Sequence, residues 1–384
     1  MAGLIPDPLR AALQALRHDL HAHPELAFAE HGTQRRLRAA LPPGLEVQTV
    51  AGTGLVARVP GTTRGAPTVA LRGDMDALPI TEATGAPFAS TVPGRMHACG
   101  HDMHATWVVG AAHLLAADPA PGDVVILLQP AEEVGQGAAR VLADGALAGV
   151  TAIAGAHVDL RFPIGTVVAD VGPLAASTDE FRITVIGLGG HAARPHEARD
   201  PIPAAAAIAI ALQALTPDRR MDGDAAVCTV TQVHAGTAWN VIPERAELGG
   251  TLRATTPAAR ARLKSSVREI ATSCAAQHHL KAEVTIVDGT PPLVNAAEPV
   301  AWARDVVTAL LGPNALVPLP EPNLAGEDFA SYAEQLPAVF LRIGAREPHE
   351  PVVGAHSPRF LPSDVAIPVG AALLAAWARR ASRP

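Results

Sequence analysis

The sequence is poor in aromatic residues, cysteine and charge. Phenylalanine, tryptophan and tyrosine make up 3% of 384 residues, with a single tyrosine, and only three cysteines are present. Three cysteines exclude a disulfide framework. Cys228, in the alternating segment AAVCTVTQV, and Cys274, in helical register with Leu263, Val267 and Ile270, read as small buried hydrophobes. No CxxC pair marks a zinc ribbon. Charged residues are 17% and the net charge is −7, so no basic stripe suits a nucleic acid. No apolar run approaches the roughly 20 residues of a membrane span. The start, MAGLIPDPLR, lacks a basic segment followed by an apolar one, so no signal peptide is expected and a cytoplasmic location is.

What is present is apolar material, at 48% of the chain, in a length that suggests two domains. Apolar periodicity predicts helices over 7–22, from Gly32 to before Pro42, 102–117 and 136–144. Strands are expected near 54–59, 67–72, 123–129 and 151–158. Several are continuous apolar runs, as in strands buried on both faces. The alternation predicts an α/β domain with a largely parallel sheet and helices on both faces. Such sheets place ligands beyond the strand C-termini. The long stretch 79–99 has no periodicity, and loops of that length are usually functional.

From 178 the pattern changes to strand, helix, two strands, helix, strand. This β-α-β-β-α-β order is ferredoxin-like. Residues 178–290 therefore read as a domain inserted between a first catalytic part, 1–177, and a second, 291–384. In the second part helices are expected at 298–311, 326–335 and 363–381, with a strand at 337–343.

The chemistry gathers at loops and strand ends. In HACGHDMH, Cys99 and His101 flank a glycine, so that thiolate and imidazole can converge on one centre. QPAEE places Glu132 and Glu133 directly after an apolar strand. His157 follows another such strand, and His356 lies in the loop GAHSPRF. Each alone reads as a polar loop or a structural histidine. Together, Cys99, His101, Glu133, His157 and His356 exceed the four ligands of a structural zinc site. Five donors plus the further carboxylate of Glu132 suit two metals about 3.5–4 Å apart that polarise a carbonyl and activate water. Glu132 would then act as general base and proton donor to the leaving amine.

RGDMDALPI, GRMHACGHDMH, QPAEE, GGHAARPH, GTAWNVIP, GEDFA and HSPRF occur in order over about 70–360. With them the chain resembles the aminoacylase and hippurate-hydrolase branch of the co-catalytic metallopeptidases, which also includes plant indole-acetyl-amino-acid hydrolases. The resemblance implies an α/β catalytic domain with an inserted ferredoxin-like lid that forms a homodimer. It implies metal ligation by Cys99, His101, Glu133, His157 and His356, with Cys99 as the bridge. Glu132 matches the base, and Asp76 an acid that orients the metal site. Where the wider superfamily has a histidine ligand, this chain has Asp74. In the inserted domain, His191 matches an oxyanion donor. Asn240 and Arg253 match groups that hold the substrate carboxylate, and Gly326 lets backbone come close to substrate. The implied cofactors are two divalent ions of manganese, zinc, nickel or cobalt. The implied reaction is hydrolysis of small-molecule N-acyl amino acids. A dipeptidase or carboxypeptidase with the same metals is the alternative, ahead of a binding protein without catalysis.

Overall fold

The structure is a computed structural model and describes residues 3–384. From the N-terminus the chain forms α1 (Asp7–Ala22), α2 (His31–Ala40), β1 (Val47–Val50), β2 (Gly54–Val59), β3 (Thr68–Asp74), α3 (His101–Ala117), β4 (Val124–Gln129), α4 (Gly137–Ala143), β5 (Val150–Pro163) and β6 (Val167–Val168). Then come β7 (Gly172–Ala175), β8 (Asp179–Ile186), β9 (Gly190–His191), α5 (Ile202–Gln213), β10 (Arg220–Met221), β11 (Asp224–Ala235), β12 (Val241–Ile242), β13 (Arg245–Ala254), α6 (Pro257–Gln277), β14 (Lys281–Val287) and β15 (Leu293–Asn295). The last elements are α7 (Ala297–Leu311), α8 (Ala330–Ala333), β16 (Ala338–Arg346) and α9 (Ile367–Ala381).

Two compact units divide the chain. The first comprises the residues up to Gly172 together with Asn295–Pro320 and Ser331–Pro384. The second comprises Pro173–Val294 and Glu321–Ala330.

The first unit is built on a seven-stranded sheet of order β1-β2-β4-β3-β5-β16-β6. Every residue of β4 is buried, as its sequence VVILLQ dictates for a strand covered on both faces. The sheet is mixed and not largely parallel. β4, β3, β5 and β16 run parallel, while β1, β2 and β6 pair antiparallel at the edges. The reason is local. β1 and β2 form a hairpin turned at Ala51 and Gly52, both at positive φ, and β6 folds back onto β16. α3 is buried along most of its length between β3 and α9. A Cβ on Gly370 of α9 would lie 2.2 Å from the Trp107 ring, so glycine sets how closely these helices approach.

The second unit has a five-stranded antiparallel sheet of order β10-β11-β13-β8-β14. Alternate residues of β8, including Phe181, Ile183 and Val185, enter its core with Ile208 of α5 and Leu263 and Val267 of α6. α6 starts where Thr256 Oγ1 accepts from the Ala259 N–H at 3.2 Å, with Pro257 in the first turn.

Two further expectations need correction. β5 does not end at residue 158 but continues to Pro163, because Asp159 is buried and bound by Arg161 and so does not end the strand. The expected helix over 326–335 contracts to the four residues of α8. β1 was not foreseen. Among the described residues no helix is long and apolar enough to cross a membrane.

Candidate metal centre

The first unit brings the chemistry-bearing residues together at the C-terminal ends of its parallel strands. β3 ends at Asp74 and leads to Asp76. β4 ends at Gln129 and leads through Pro130 and Ala131 to Glu132 and Glu133. α3 starts with His101. Its cap, Gly100, sits at φ 90°, and a Cβ there would lie 2.4 Å from Val158 Cγ2. Glycine is needed twice over, for the left-handed turn and for the space. That turn lets Cys99 and His101 face one centre. His157 lies within β5, paired with Arg342 of β16, and not beyond a strand end as its neighbours suggested. His356 is held by its own N–H, which donates to Ala98 O at 2.8 Å.

Donor atoms of Cys99, His101 and His157 all lie within 4.8 Å of one another, and so do those of Cys99, Glu133 and His356. The two threes share Cys99. Cys99 Sγ is 3.3 Å from His157 Nε2, and His356 Nε2 is 3.4 Å from Glu133 Oε2. His101 Nε2 is 3.7 Å from Glu133 Oε1 and 3.8 Å from Glu132 Oε2. His101 Nε2 and Glu133 Oε1 are buried and make no hydrogen bond. Orphaned polar atoms of this kind call for an explanation such as an ion.

The outer atoms of the same side chains are bound and aimed. His101 Nδ1 donates to Asp76, at 2.9 Å to the backbone oxygen and 3.2 Å to Oδ1. The same carboxylate accepts the N–H groups of Glu132 and Glu133, each at 3.0 Å. His157 Nδ1 donates to Val158 O at 2.6 Å, which leaves Nε2 as the lone pair toward Cys99.

The electrostatics fit a cation. Burial pushes the Cys99 thiol well above its ordinary range, and the carboxylates of Glu133 and Glu132 push the same way. Without positive charge the thiolate is unfavourable there, and a bound cation would supply that charge. Burial, with His104 and Arg342 nearby, holds His157 well below the usual histidine range, in the neutral form that ligates metals. For His101 burial works against protonation, but Asp74, Asp76 and Cys99 outweigh it and raise it well above 6.5. A thiol, three imidazoles and a carboxylate form a donor set suited to zinc-like first-row ions.

Family membership follows from comparison over most of the chain. The description Peptidase family M20/M25/M40 matches residues 70–380. The chain belongs to the M20/M25/M40 peptidase family. It is a hydrolytic enzyme. An N-acetylcysteine deacetylase of Bacillus subtilis (strain 168) is 40% identical over 359 residues, covering 92% of each chain. The IAA-amino acid hydrolase ILR1-like 2 of Arabidopsis thaliana is 37% identical over 371 residues, covering 94% of this chain and 83% of that one. The crystal structure of the Bacillus subtilis YXEP protein, described as a dinuclear metal binding peptidase from the M20 family, superposes with a TM-score of 0.86 at 35% identity, covering 97% of this chain and 98% of that one.

Around the donors of this M20 chain lie Asp74, which stands where the resemblance expects a histidine ligand, and His104, a residue that sequence reasoning missed. Asp74 is fully buried, paired with Arg72 and accepting from His104 Nδ1 at 2.7 Å. His104 Nε2 accepts the Val158 N–H at 2.9 Å, so His104 is neutral and fixes the peptide beside His157. Asp74 stands 3.9 Å from His101 Nε2, with its carboxylate already engaged. Only the adjacency of His104 to the HACGH segment hinted at this.

The other expected substrate residues lie in the second unit. His191 and Asn240 line one open cleft of about 450 Å³, with Val241 paired to His191 across two short strands. Asn240 O accepts the Ala192 N–H at 3.0 Å. Arg253, on β13, is half-buried with its guanidinium 3.5 Å from Ser177 O. At Gly326 the close neighbour is Thr178, whose Cγ2 would lie 2.3 Å from an added Cβ. Packing within the unit thus favours glycine at this position.

Proposed function

We propose that this enzyme hydrolyses the amide bond of N-acyl amino acids, with two divalent metals held by Cys99, His101, Glu133, His157 and His356. The observation that carries the reading is the pair of three-donor groups sharing Cys99, with a second carboxylate, Glu132, beside them. Cys99, common to both donor groups, would be the residue shared by the two metals. When bound, the metals supply Lewis acidity toward the amide carbonyl and a more acidic water. Glu132 takes the proton from the attacking water and delivers it to the departing nitrogen. Asp76 holds Glu132, Glu133 and His101 in register through the contacts described above. His191 supplies a donor to the developing oxyanion, and Asn240 and Arg253 bind the substrate carboxylate. The thiolate favours zinc by softness, with manganese, nickel and cobalt as the alternatives. The second unit is read as a ferredoxin-like insert through which two chains pair, and sedimentation velocity tests the homodimer.

The deciding experiment is hydrolysis of N-acetyl, N-benzoyl and indole-acetyl amino acids and of free dipeptides, by apo protein reloaded with each metal. Cleavage of the acyl amino acids only with metal is expected. Faster kcat/KM on dipeptides would turn the reading to a peptidase. Binding without cleavage would turn it to a binding protein. Glu132→Gln is expected to keep both metals and lose at least about 100-fold in kcat. Unchanged turnover in that variant removes the assigned base.

A further inference from the structure

We propose that Glu30 is a positioning residue for the turn that carries Glu132 and Glu133, acting through the backbone of Ala131. Ala131 sits at φ 56°, in the left-handed region that costs a residue with a Cβ. It is fully buried, so its N–H needs an acceptor. That acceptor is Glu30 Oε1 at 3.0 Å, from a residue 101 positions upstream. Glu30 is itself fully buried, and its other oxygen accepts from Thr53 Oγ1 at 2.5 Å. Thr53 thus aims the carboxylate. The next two N–H groups, of Glu132 and Glu133, go to Asp76. Three successive N–H groups therefore point at two carboxylates, as in a backbone nest that binds anions.

The consequence is directional. The torsion at Ala131 sets where the side chains of Glu132 and Glu133 point. Ala131 holds a costly torsion only while the surroundings impose it. With the Glu30 acceptor removed, the buried N–H turns to find another partner and the turn relaxes. The two carboxylates then leave their places beside His101. Sub-ångström to 1 Å displacements of this kind cost up to about 100-fold in rate.

The inference rests on the reading of Glu132 as base and Glu133 as ligand, and the two fail in different ways. If that reading is wrong, Glu132→Gln keeps turnover. If this inference is wrong, Glu132→Gln is inactive while removal of the Glu30 carboxylate does no specific harm. The test is a double-mutant cycle with Glu30→Met, which fills the space and removes the acceptor, and Ala131→Gly, which frees the torsion. Two readouts are taken: kcat and KM on the best acyl amino acid, and the manganese Kd of the apo protein by calorimetry. Glu30→Met is expected to lower kcat about 30-fold, to leave KM within about threefold, and to weaken manganese about 10-fold. In the Ala131→Gly background the same substitution is expected to cost less than about a third of that factor, because glycine needs no clamp. Should Glu30→Met fold poorly, Thr53→Val leaves the acceptor in place but unaimed. It is expected to lose about threefold to tenfold in kcat, again recovered by Ala131→Gly. The inference is overturned if either substitution lowers only the melting temperature, or if Ala131→Gly recovers nothing.

Discussion

Gly100 joins two demands that are usually separate. Its φ of 90° ends the approach to α3, and a Cβ there would lie 2.4 Å from Val158 Cγ2, which its absence leaves room for. A Cβ costs about 1–2 kcal/mol for the torsion and about 1–3 kcal/mol more for the overlap. Gly100→Ala should therefore lower the free energy of unfolding by about 2–5 kcal/mol, measured in urea with metal present. A loss under about 0.5 kcal/mol would mean that the turn accepts a side chain and that Cys99 and His101 are aimed by something else. The glycine could be read from the sequence, because it stands between two metal-type donors. The donors could be read for a similar reason: they fall in short polar segments after apolar runs. Glu30 and His104 could not. Their partners, Ala131 and Val158, lie 101 and 54 residues away, and no local pattern marks a side chain whose work is to hold a distant peptide.

At the level of elements, the stretch between β3 and α3 has almost no regular structure, yet it brings Cys99 to the site. Buried charge holds it. Arg17 and His21 of α1 both bind Asp102 of α3, at 3.1 and 2.9 Å, and His21 Nε2 reaches Glu82 in the loop at 3.2 Å. Glu82 in turn accepts the Ser90 N–H at 2.6 Å. Burial works against a charged His21, but Asp102 and Glu82 outweigh it and raise its pKa to about 9. A group raised from 6.5 in the unfolded chain stabilises the fold fully below pH 6.5, and that contribution fades as pH rises through 9. It amounts to at most about 3 kcal/mol. The difference in unfolding free energy between wild type and His21→Gln should therefore shrink by about 2–3 kcal/mol between pH 6 and pH 9.5. A constant difference would show that His21 is neutral in the folded protein. The helices were legible because apolar residues at helical spacing mark one packed face. The edges of the sheet were not. β1 (VQTV) is short and largely exposed, and its pairing depends on a tight hairpin that leaves little trace in the apolar pattern. β5 misled for the opposite reason, since Asp159 is polar but paired and buried inside the strand.

For the whole molecule, the separation of two cores has a measurable consequence. One core contains Trp107 and Trp377, with Trp302 packed against it, and the other, built from Phe181, Ile183, Ile208 and Leu263, contains no tryptophan. Trp239, the fourth, is fully exposed in the second unit. The change of tryptophan fluorescence on unfolding therefore reports the first unit. That unit contains all five proposed metal donors. A ligand that binds only the folded state stabilises by mass action, by about 2.7 kcal/mol at 100 times Kd. Reloading apo protein with manganese at that excess should raise the fluorescence midpoint by about 5–10 °C. Hydrogen exchange of the β8, β11 and β13 amides reports the second unit, whose own core holds no proposed donor. Those amides should gain little protection on loading if the units open separately. Equal gains in both would mean that the two cores unfold as one cooperative block. An unmoved fluorescence midpoint would mean that the donors around Cys99 do not hold the ion, and the proposed hydrolysis would lose its centre.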